Sequence, residues 1–174
     1  MRARGRGTAW LGLLPLIILM SGCAVKRIDN GVYHSSKGYR VEIPSGQWAP
    51  VDGSPADLEL RHHSSAAVMA ASAVCEEAAT RRPTRALERQ LFIGVRERRV
   101  IERGEIVVAG RPAVHAVVDA RHEGSEDRAR IETLVLKDDR CVYDFMYVAP
   151  PAAFEALRSD FARFVESFRP DGVR

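Results

Sequence analysis

The sequence lacks the short motifs that most often carry enzyme chemistry. It contains no Gly-x-Ser-x-Gly elbow, no phosphate-binding glycine loop and no dinucleotide-binding fingerprint. It also has no His-x-x-x-His or Cys-x-x-Cys pair, the spacings from which many metal sites are built. His62 and His63 are adjacent, and adjacent strand residues point to opposite faces, so the two cannot easily bind one ion. We therefore expect a protein that is not an enzyme and has no catalytic residues, metal or cofactor.

The first 23 residues have the pattern of a bacterial lipoprotein signal. Three arginines precede an apolar stretch at residues 9–20, which is too short for a comfortable transmembrane helix and is interrupted by Pro15. Ser21 and Gly22 then precede Cys23, as in a lipobox, where the cysteine is acylated and becomes the mature N-terminus. We expect residues 1–22 to be the signal peptide and Cys23 to carry the lipid. The alternative is an ordinary signal peptide cleaved nearby, with an incidental cysteine.

The chain has little net charge once this leader is removed. It contains 26 Lys and Arg residues and 23 Asp and Glu residues, and three of the arginines but none of the acids lie in residues 1–22. The mature chain is therefore formally neutral, and the calculated pI of about 9.0 belongs largely to the leader. The composition gives no support for a nucleic-acid partner or for general attraction to an anionic membrane surface.

Cysteine is also scarce. With Cys23 used for the lipid, Cys75 and Cys141 remain in an oxidising compartment, where two thiols usually pair. The predicted disulfide closes a loop of 66 residues, for which the chain-entropy model gives about 4 kcal/mol of stabilisation. Two alternatives are a pair of separate buried cysteines and a nucleophilic cysteine acting with His115.

The segment after Cys23 indicates where the domain is held. Residues 24–31 are short and polar and end in the turn sequence Asp29-Asn30-Gly31. We interpret residues 23–31 as the acylated cysteine and a tether, which keeps the domain within about 30 Å of the bilayer at roughly 3.5 Å per residue. Ala24 is not an aspartate, so the sorting rule of enteric bacteria favours the outer over the inner membrane. The expected location is the cell envelope, with the domain facing the periplasm.

Two sequence periods predict the fold. A strand period of two runs through residues 141–148, and a helical period runs through residues 154–168. Pro150 and Pro151 separate them, because proline cannot extend a strand ladder and suits a helix start. Other strands are predicted at residues 32–34, 39–43, 58–61, 67–75, 106–109, 113–122 and 128–137, and another helix starts at 82–84. This order predicts an α+β fold with a twisted, mainly antiparallel sheet and helices on its faces.

The beginning and end of the domain resemble the PsbP-like/Mog superfamily. There a glycine-led hairpin runs into a proline and a tryptophan, and the chain finishes on a strand, a helix and a Ser-Phe pair. The matching residues are Gly38, Tyr39, Ile43, Pro44, Gly46, Trp48, Ser167 and Phe168. The resemblance covers about residues 32–168 and implies an α/β/α sandwich, in a domain at 32–169 followed by a tail at 170–174. Because its members are mostly accessory or binding proteins, it implies a non-catalytic protein that binds or stabilises an envelope protein partner at the periplasmic membrane face.

Four ionisable residues in the late strands suggest a polar patch. Asp119, Arg130, Glu132 and Asp144 would lie together if the parities of their strands place them on one sheet face. Buried groups of this kind must be paired or titrate. The alternative is a set of cross-strand ion pairs on a solvated face.

Strand composition suggests a second possible function. Residues 67–73 are mostly alanine and leave little side-chain bulk, whereas residues 143–147 are largely aromatic. Either a helix lies low on the alanine strand or a cavity remains over it. A cavity lined by both strands would make the protein a small-molecule or lipid carrier, with an apolar pocket of at least a few hundred Å³ over the sheet.

Overall fold

The computed structural model describes residues 27–122 and 127–171, so Cys23 lies outside the described residues. The strands are β1 Arg27–Asp29, β2 Val32–Ser35, β3 Tyr39–Glu42, β4 Trp48–Pro50, β5 Leu58–His62, β6 Val68–Val74, β7 Val95–Val108, β8 Arg111–His122, β9 Arg128–Lys137, β10 Val142–Ala149 and β11 Arg169–Pro170. The helices are α1 Glu77–Thr80, α2 Thr84–Gln90 and α3 Pro151–Glu166. Within the described ranges no helix is long and apolar enough to cross a bilayer.

The strands form two antiparallel sheets. The small sheet has the order β1-β2-β3-β11, and the large sheet has the order β4-β5-β6-β10-β9-β8-β7. Helix α3 packs on one face of the large sheet against β9 and β10, and α2 packs on the other face against β8 and β9. The predicted α+β fold, with a mainly antiparallel sheet and helices on its faces, is confirmed.

Aromatic side chains fill the layer between α3 and the large sheet. Tyr147 of β10 stacks on Phe154 and Phe161 of α3, with ring centroids 4.9 and 5.5 Å apart. The small sheet closes over the same layer, because Tyr39 packs against Phe168 with a centroid distance of 5.9 Å. These five side chains meet in one core, which fixes the small sheet beside the C-terminal end of α3.

The alanines of β6 adjoin this packed core rather than a cavity. Ala71 is paired opposite Phe145 and Ala73 opposite Tyr143, and both alanines are buried. In an antiparallel pair, opposite residues share a face, so the small alanines leave room for the aromatic rings beside them. The expectation of a cavity over residues 67–73 and 143–147 is therefore wrong in its location.

The predicted disulfide is present. The Sγ atoms of Cys75 and Cys141 are bonded at 2.04 Å, and the two Cα atoms are 4.0 Å apart. The bridge lies next to the paired residues Val74 and Val142, so it fastens the end of β6 to the start of β10. Residues far apart in the chain are thereby held at one end of two central strands.

Strand β7 begins much earlier than residues 106–109, where we expected it. Its charged sequence, beginning Val-Arg-Glu-Arg-Arg, carries no clear strand period. It is an edge strand, with register shifts between Arg96 and Arg99 and between Val100 and Glu102. Charged residues and bulges are common on such edges because they discourage pairing with another chain. Its surroundings in the sheet, rather than a local pattern, make this segment a strand.

Short strands at the margins also differ from the expectation. β1 lies within the predicted tether, and β4 lies within the expected loop at residues 44–55, because both find a partner strand. Pro50 can end β4 since that strand is at a sheet edge. Pro170 pairs with Tyr39, so the small sheet extends into the predicted C-terminal tail.

Candidate functional site

Charged residues link neighbouring strands on the face beneath α3. Asp119 of β8 is directly opposite Arg130 of β9, whose Nε donates to Oδ1 at 2.7 Å and whose Nη2 donates to Oδ2 at 3.3 Å. Arg99 of β7 donates to the same carboxylate at 2.9 Å. The bond from Arg130, with that from Arg99, lowers the pKa of Asp119 despite its burial. This carboxylate is therefore fixed as an anion.

Arg158 of α3 binds two further carboxylates. It donates to Glu132 of β9 at 3.0 and 3.2 Å and to Glu102 of β7 at 3.1 and 2.8 Å. These hydrogen bonds raise the pKa of Arg158 and lower that of Glu102. The Nε2 atom of His115 lies 2.7 Å from Glu132 Oε1. Arg158 therefore ties the helix to both the edge and the middle of the sheet.

Phe154 joins these two sets of ion pairs. The guanidinium groups of Arg130 and Arg158 lie 5.4 and 5.7 Å from the centroid of its ring, within the range of cation–π attraction. Glu155 adds a bond from Arg130 at 3.3 Å. We call the whole set the ionic cluster: Arg99, Glu102, His115, Asp119, Arg130, Glu132, Glu155 and Arg158. It fixes the position of α3 on the sheet.

The structure brings together three of the four residues expected in a polar patch. Asp119, Arg130 and Glu132 belong to the ionic cluster, whereas Asp144 lies on the opposite face, paired with Val135 and Ser72. Successive side chains along a strand point to opposite faces, so the strand would have to shift by one residue to bring Asp144 onto the α3 face. Burial raises its pKa to about 6. The expectation that Asp144 joins the patch is therefore wrong.

Cross-strand ion pairing, our alternative interpretation, describes only part of the cluster. Asp119 and Arg130 do form a cross-strand pair, yet Asp119 and Glu132 are only 9% and 7% exposed, so the face is not solvated. Sequence reasoning missed Glu102 because its strand was not predicted. It also missed Arg158, because nothing in the local sequence shows that this side chain of α3 reaches the sheet.

A cleft of about 920 Å³ opens beside the ionic cluster, between α3 and the hairpin formed by β7 and β8. Its apolar walls include Ile106, Val108, Leu134, Phe161 and Val165. His115 and Glu132 of the ionic cluster also line it. Its other charged lining residues, which we call the mouth, are Arg40, Arg111, Glu166, Arg169 and Asp171. The volume falls within the range of about 300–1,000 Å³ that is typical of small-molecule sites.

The edge strand β7 carries little side-chain bulk next to the cleft. Gly104 of β7 is paired opposite His115, so a side chain at residue 104 would lie on the cleft face. A Cβ atom built there meets no other atom within 4 Å. Ile106, two residues on, is 42% exposed. Strand β7 therefore covers little of the cleft, whose base is apolar.

The arrangement is suited to holding a molecule by shape and charge. The carboxylates of Asp119, Glu102 and Glu132 each receive hydrogen bonds from arginine, which keeps their charges in fixed positions. Across residues 27–122 and 127–171, no cluster of three or more His, Cys, Asp and Glu side chains is placed to hold a metal ion. The cleft thus combines apolar walls with fixed polar groups at its two ends.

Solved structures share this fold. Cyanobacterial PsbP (CyanoP) from Synechocystis sp. PCC 6803 aligns with a TM-score of 0.52 at 15% identity, over 87% of this chain and 98% of that chain. LpqN of Mycobacterium tuberculosis, which is involved in cell envelope biogenesis, aligns with a TM-score of 0.57 at 11% identity, over 80% and 88%. A Bacteroides thetaiotaomicron VPI-5482 protein aligns with a TM-score of 0.58 at 10% identity, over 82% and 48%, so the chain spans about half of its length.

These likenesses concern the fold and not the activity. No protein-family model matches the chain, and no curated protein matches it in sequence. The alignments to CyanoP and LpqN nonetheless extend over most of both chains. The protein therefore has a PsbP-like fold.

Proposed function

We propose that the protein is a non-catalytic binding protein, anchored to the cell envelope through a lipid on Cys23, that carries a small amphiphilic molecule in the cleft beneath α3. The observation that carries this proposal is the cleft itself. Its volume of about 920 Å³ exceeds the few hundred Å³ expected of a carrier, although it lies over β7, β8 and β9 rather than over the alanine strand.

The apolar lining of the cleft supports a binding function. Phe161 and Val165 border the cleft and offer no reactive group. Beside the cleft, Arg158 lowers the pKa of Glu102 and Arg130 lowers that of Asp119, so these two carboxylates remain charged near neutral pH and are poorly suited to exchange a proton there.

The short distance to the predicted anchor supports a function at the membrane. β1 begins at Arg27, four residues after Cys23, and four residues span at most about 14 Å at roughly 3.5 Å each. The signal sequence and the disulfide both agree with an oxidising envelope compartment. The participation of LpqN in envelope biogenesis fits the same setting. The domain would then face the periplasm, with the outer membrane favoured by Ala24.

Native mass spectrometry of protein purified from the envelope tests the carrier function. We expect a co-purified molecule on the wild type and its loss from Gly104→Phe, because that ring would lie over the cleft. Glu105→Phe is the matched control, since it adds the same ring one residue along, on the opposite face of β7. Wild-type protein that never carries a molecule, or equal occupancy in both variants, would count against the proposal.

The anchor has its own test. Cells fed with labelled palmitate are expected to transfer label to the wild-type protein and not to Cys23→Ala. Mass analysis of the N-terminal peptide should show an acylated cysteine as the first residue. A mature protein that begins elsewhere and carries no acyl mass would refute lipid anchoring while leaving the cleft proposal standing.

A second candidate function is the binding of an envelope protein partner, and the edge of β7 favours it. Val100, Ile101 and Val107 are 50%, 40% and 74% exposed on that strand, and such exposed apolar groups often mark interaction sites. Photo-crosslinking residues placed at 101 and 107 should capture one stoichiometric partner in intact cells. The same residue placed at Arg81, which directly follows α1, serves as the control. Equal capture at all three positions, or none, would remove this candidate.

A further inference from the structure

Two arginines face each other at the mouth of the cleft. Arg40 of β3 and Arg169 of β11 are directly opposite in the small sheet, and both side chains line the cleft. Like charges at directly opposite positions destabilise a sheet. An anion bound between them would relieve that repulsion.

The partners of these arginines leave positive charge at the mouth. Arg169 donates to the carbonyl oxygens of Glu166 and Phe168, each at 2.7 Å, and carbonyl oxygens orient a guanidinium group without neutralising it. Arg111, the third arginine of the mouth, donates to the carbonyl oxygen of Ala109 at 3.4 Å.

Carboxylates at the mouth only partly balance these charges. Asp171 lies 3.8 Å from Arg40, near the limit of an ion pair, with both side chains 51% exposed. Glu166 is the other carboxylate of the mouth. Three guanidinium groups therefore stand against two carboxylates at the mouth, and a guanidinium group can bind a carboxylate or phosphate through a pair of hydrogen bonds.

The floor of the cleft has a different character. Leu134, Phe161 and Val165 border the cleft on the side of the core and are almost fully buried, whereas Ile106, on the side of β7, is 42% exposed. An alkyl chain in the cleft would cover Ile106 and contact this floor, and removing apolar surface from water is favourable. One end of the cleft therefore suits an apolar chain and the mouth suits an anion.

We infer that the cleft binds an amphiphile with an anionic headgroup, a phosphate or a carboxylate, which lies at Arg40 and Arg169 while the alkyl chain lies against Leu134, Phe161 and Val165. This inference rests on the proposed carrier function and adds the ligand class and its orientation. Both phospholipids and free fatty acids combine an anionic headgroup with an alkyl chain.

The test compares amphiphiles that differ only in headgroup. Residues 23–174 with Cys23→Ser, exported so that the disulfide forms, contain every described element. Isothermal titration below the critical micelle concentration measures dodecyl phosphate, dodecanoate, dodecyl maltoside and dodecyltrimethylammonium. We expect the two anionic compounds to bind at least about tenfold more tightly than the neutral one, and the cationic one more weakly still. Inorganic phosphate, which lacks the chain, should bind more than about 100-fold more weakly than dodecyl phosphate.

Variants locate the headgroup. Arg40→Gln with Arg169→Gln should reduce the preference for dodecyl phosphate over dodecyl maltoside about tenfold and leave maltoside affinity unchanged. Arg81→Gln with Arg82→Gln, which removes the same charge just after α1 and away from the cleft, should leave both affinities unchanged. Binding of all four amphiphiles with equal affinity would refute the inference and leave the carrier function intact. Failure of every amphiphile to bind would refute the carrier function itself. Phosphate binding as tight as that of dodecyl phosphate would indicate a simple anion site and overturn the inference.

Discussion

The ion pair between Asp119 and Arg130 should make a measurable and pH-dependent contribution to stability. The two side chains are 12% and 20% exposed, and two hydrogen bonds join them at 2.7 and 3.3 Å. Hydrogen bonds to charged groups contribute roughly 1.5–3 kcal/mol. Because Arg99 also binds Asp119, part of that interaction survives the loss of Arg130. We therefore expect a coupling energy of about 1–2 kcal/mol at pH 7.

A double-mutant cycle measures this coupling. Urea unfolding at pH 7 measures the free energy of unfolding of the wild type, Asp119→Asn, Arg130→Met and the double variant. The losses in the two single variants should add up to more than the loss in the double variant. For a domain of this size, a difference of 1 kcal/mol corresponds to roughly 2–4 °C in Tm. A coupling energy below about 0.3 kcal/mol, within the usual error of additivity, would show that the pair does not fix the strands.

The pH dependence of the coupling has a defined sign. The pKa of Asp119 is lower in the folded protein than in the unfolded chain, where a carboxyl of this type titrates near about 3.9. Its contribution is therefore complete above the unfolded pKa and is lost as the pH falls through the folded pKa. Repeating the cycle at about pH 3 should give a smaller coupling energy than at pH 7. An unchanged coupling would contradict the ionic origin that we assign to it.

Three further predictions concern stability elsewhere in the fold. Replacing both Cys75 and Cys141 with Ser should lower the free energy of unfolding by about 2–4 kcal/mol, and reducing agent should lower the Tm of the wild type only. Burial raises the pKa of Asp144 to about 6, so the charged side chain destabilises the fold as the pH rises from about 4 to 7. Asp144→Asn should then be more stable than the wild type by about 2 kcal/mol in urea unfolding at pH 7, and the gain should vanish at pH 4. Trp48→Phe removes the 2.9 Å hydrogen bond to Asp160 Oδ2 and should cost about 1–2 kcal/mol, whereas Asp160→Asn, which keeps an acceptor, should cost less.

Local patterns were sufficient to predict the central elements. The alternation of β10 reflects side chains that point to opposite faces of a strand, and the three-and-four spacing of α3 reflects burial of one helix face. Pro150 and Pro151 mark the boundary between the two elements in the structure as in the sequence. The pairing of Cys75 with Cys141 followed from compartment and count alone. These features depend on short segments or on composition, and a single sequence records both.

The features that make the cleft depend on register and on distant parts of the chain. One residue of register decides that Asp144 lies on the face opposite to Asp119. Arg40 and Arg169 come from opposite ends of the domain and meet because β11 pairs with β3. Neither β3 nor β11 has a local sequence pattern that predicts this pairing. The ionic cluster was therefore predicted in part, and the cleft beside it was not placed correctly.

The most direct test of the central claim is to find where a bound amphiphile lies. A dodecyl phosphate analogue with a photoactivatable diazirine in its chain can be bound to the purified protein, irradiated and mapped by peptide mass spectrometry. We expect adducts within residues 158–168 of α3 and residues 130–136 of β9, and their suppression by excess dodecyl phosphate. Adducts confined to residues 95–101 of β7, which do not line the cleft, or to α1, or labelling that excess dodecyl phosphate does not reduce, would contradict a carrier site beneath α3.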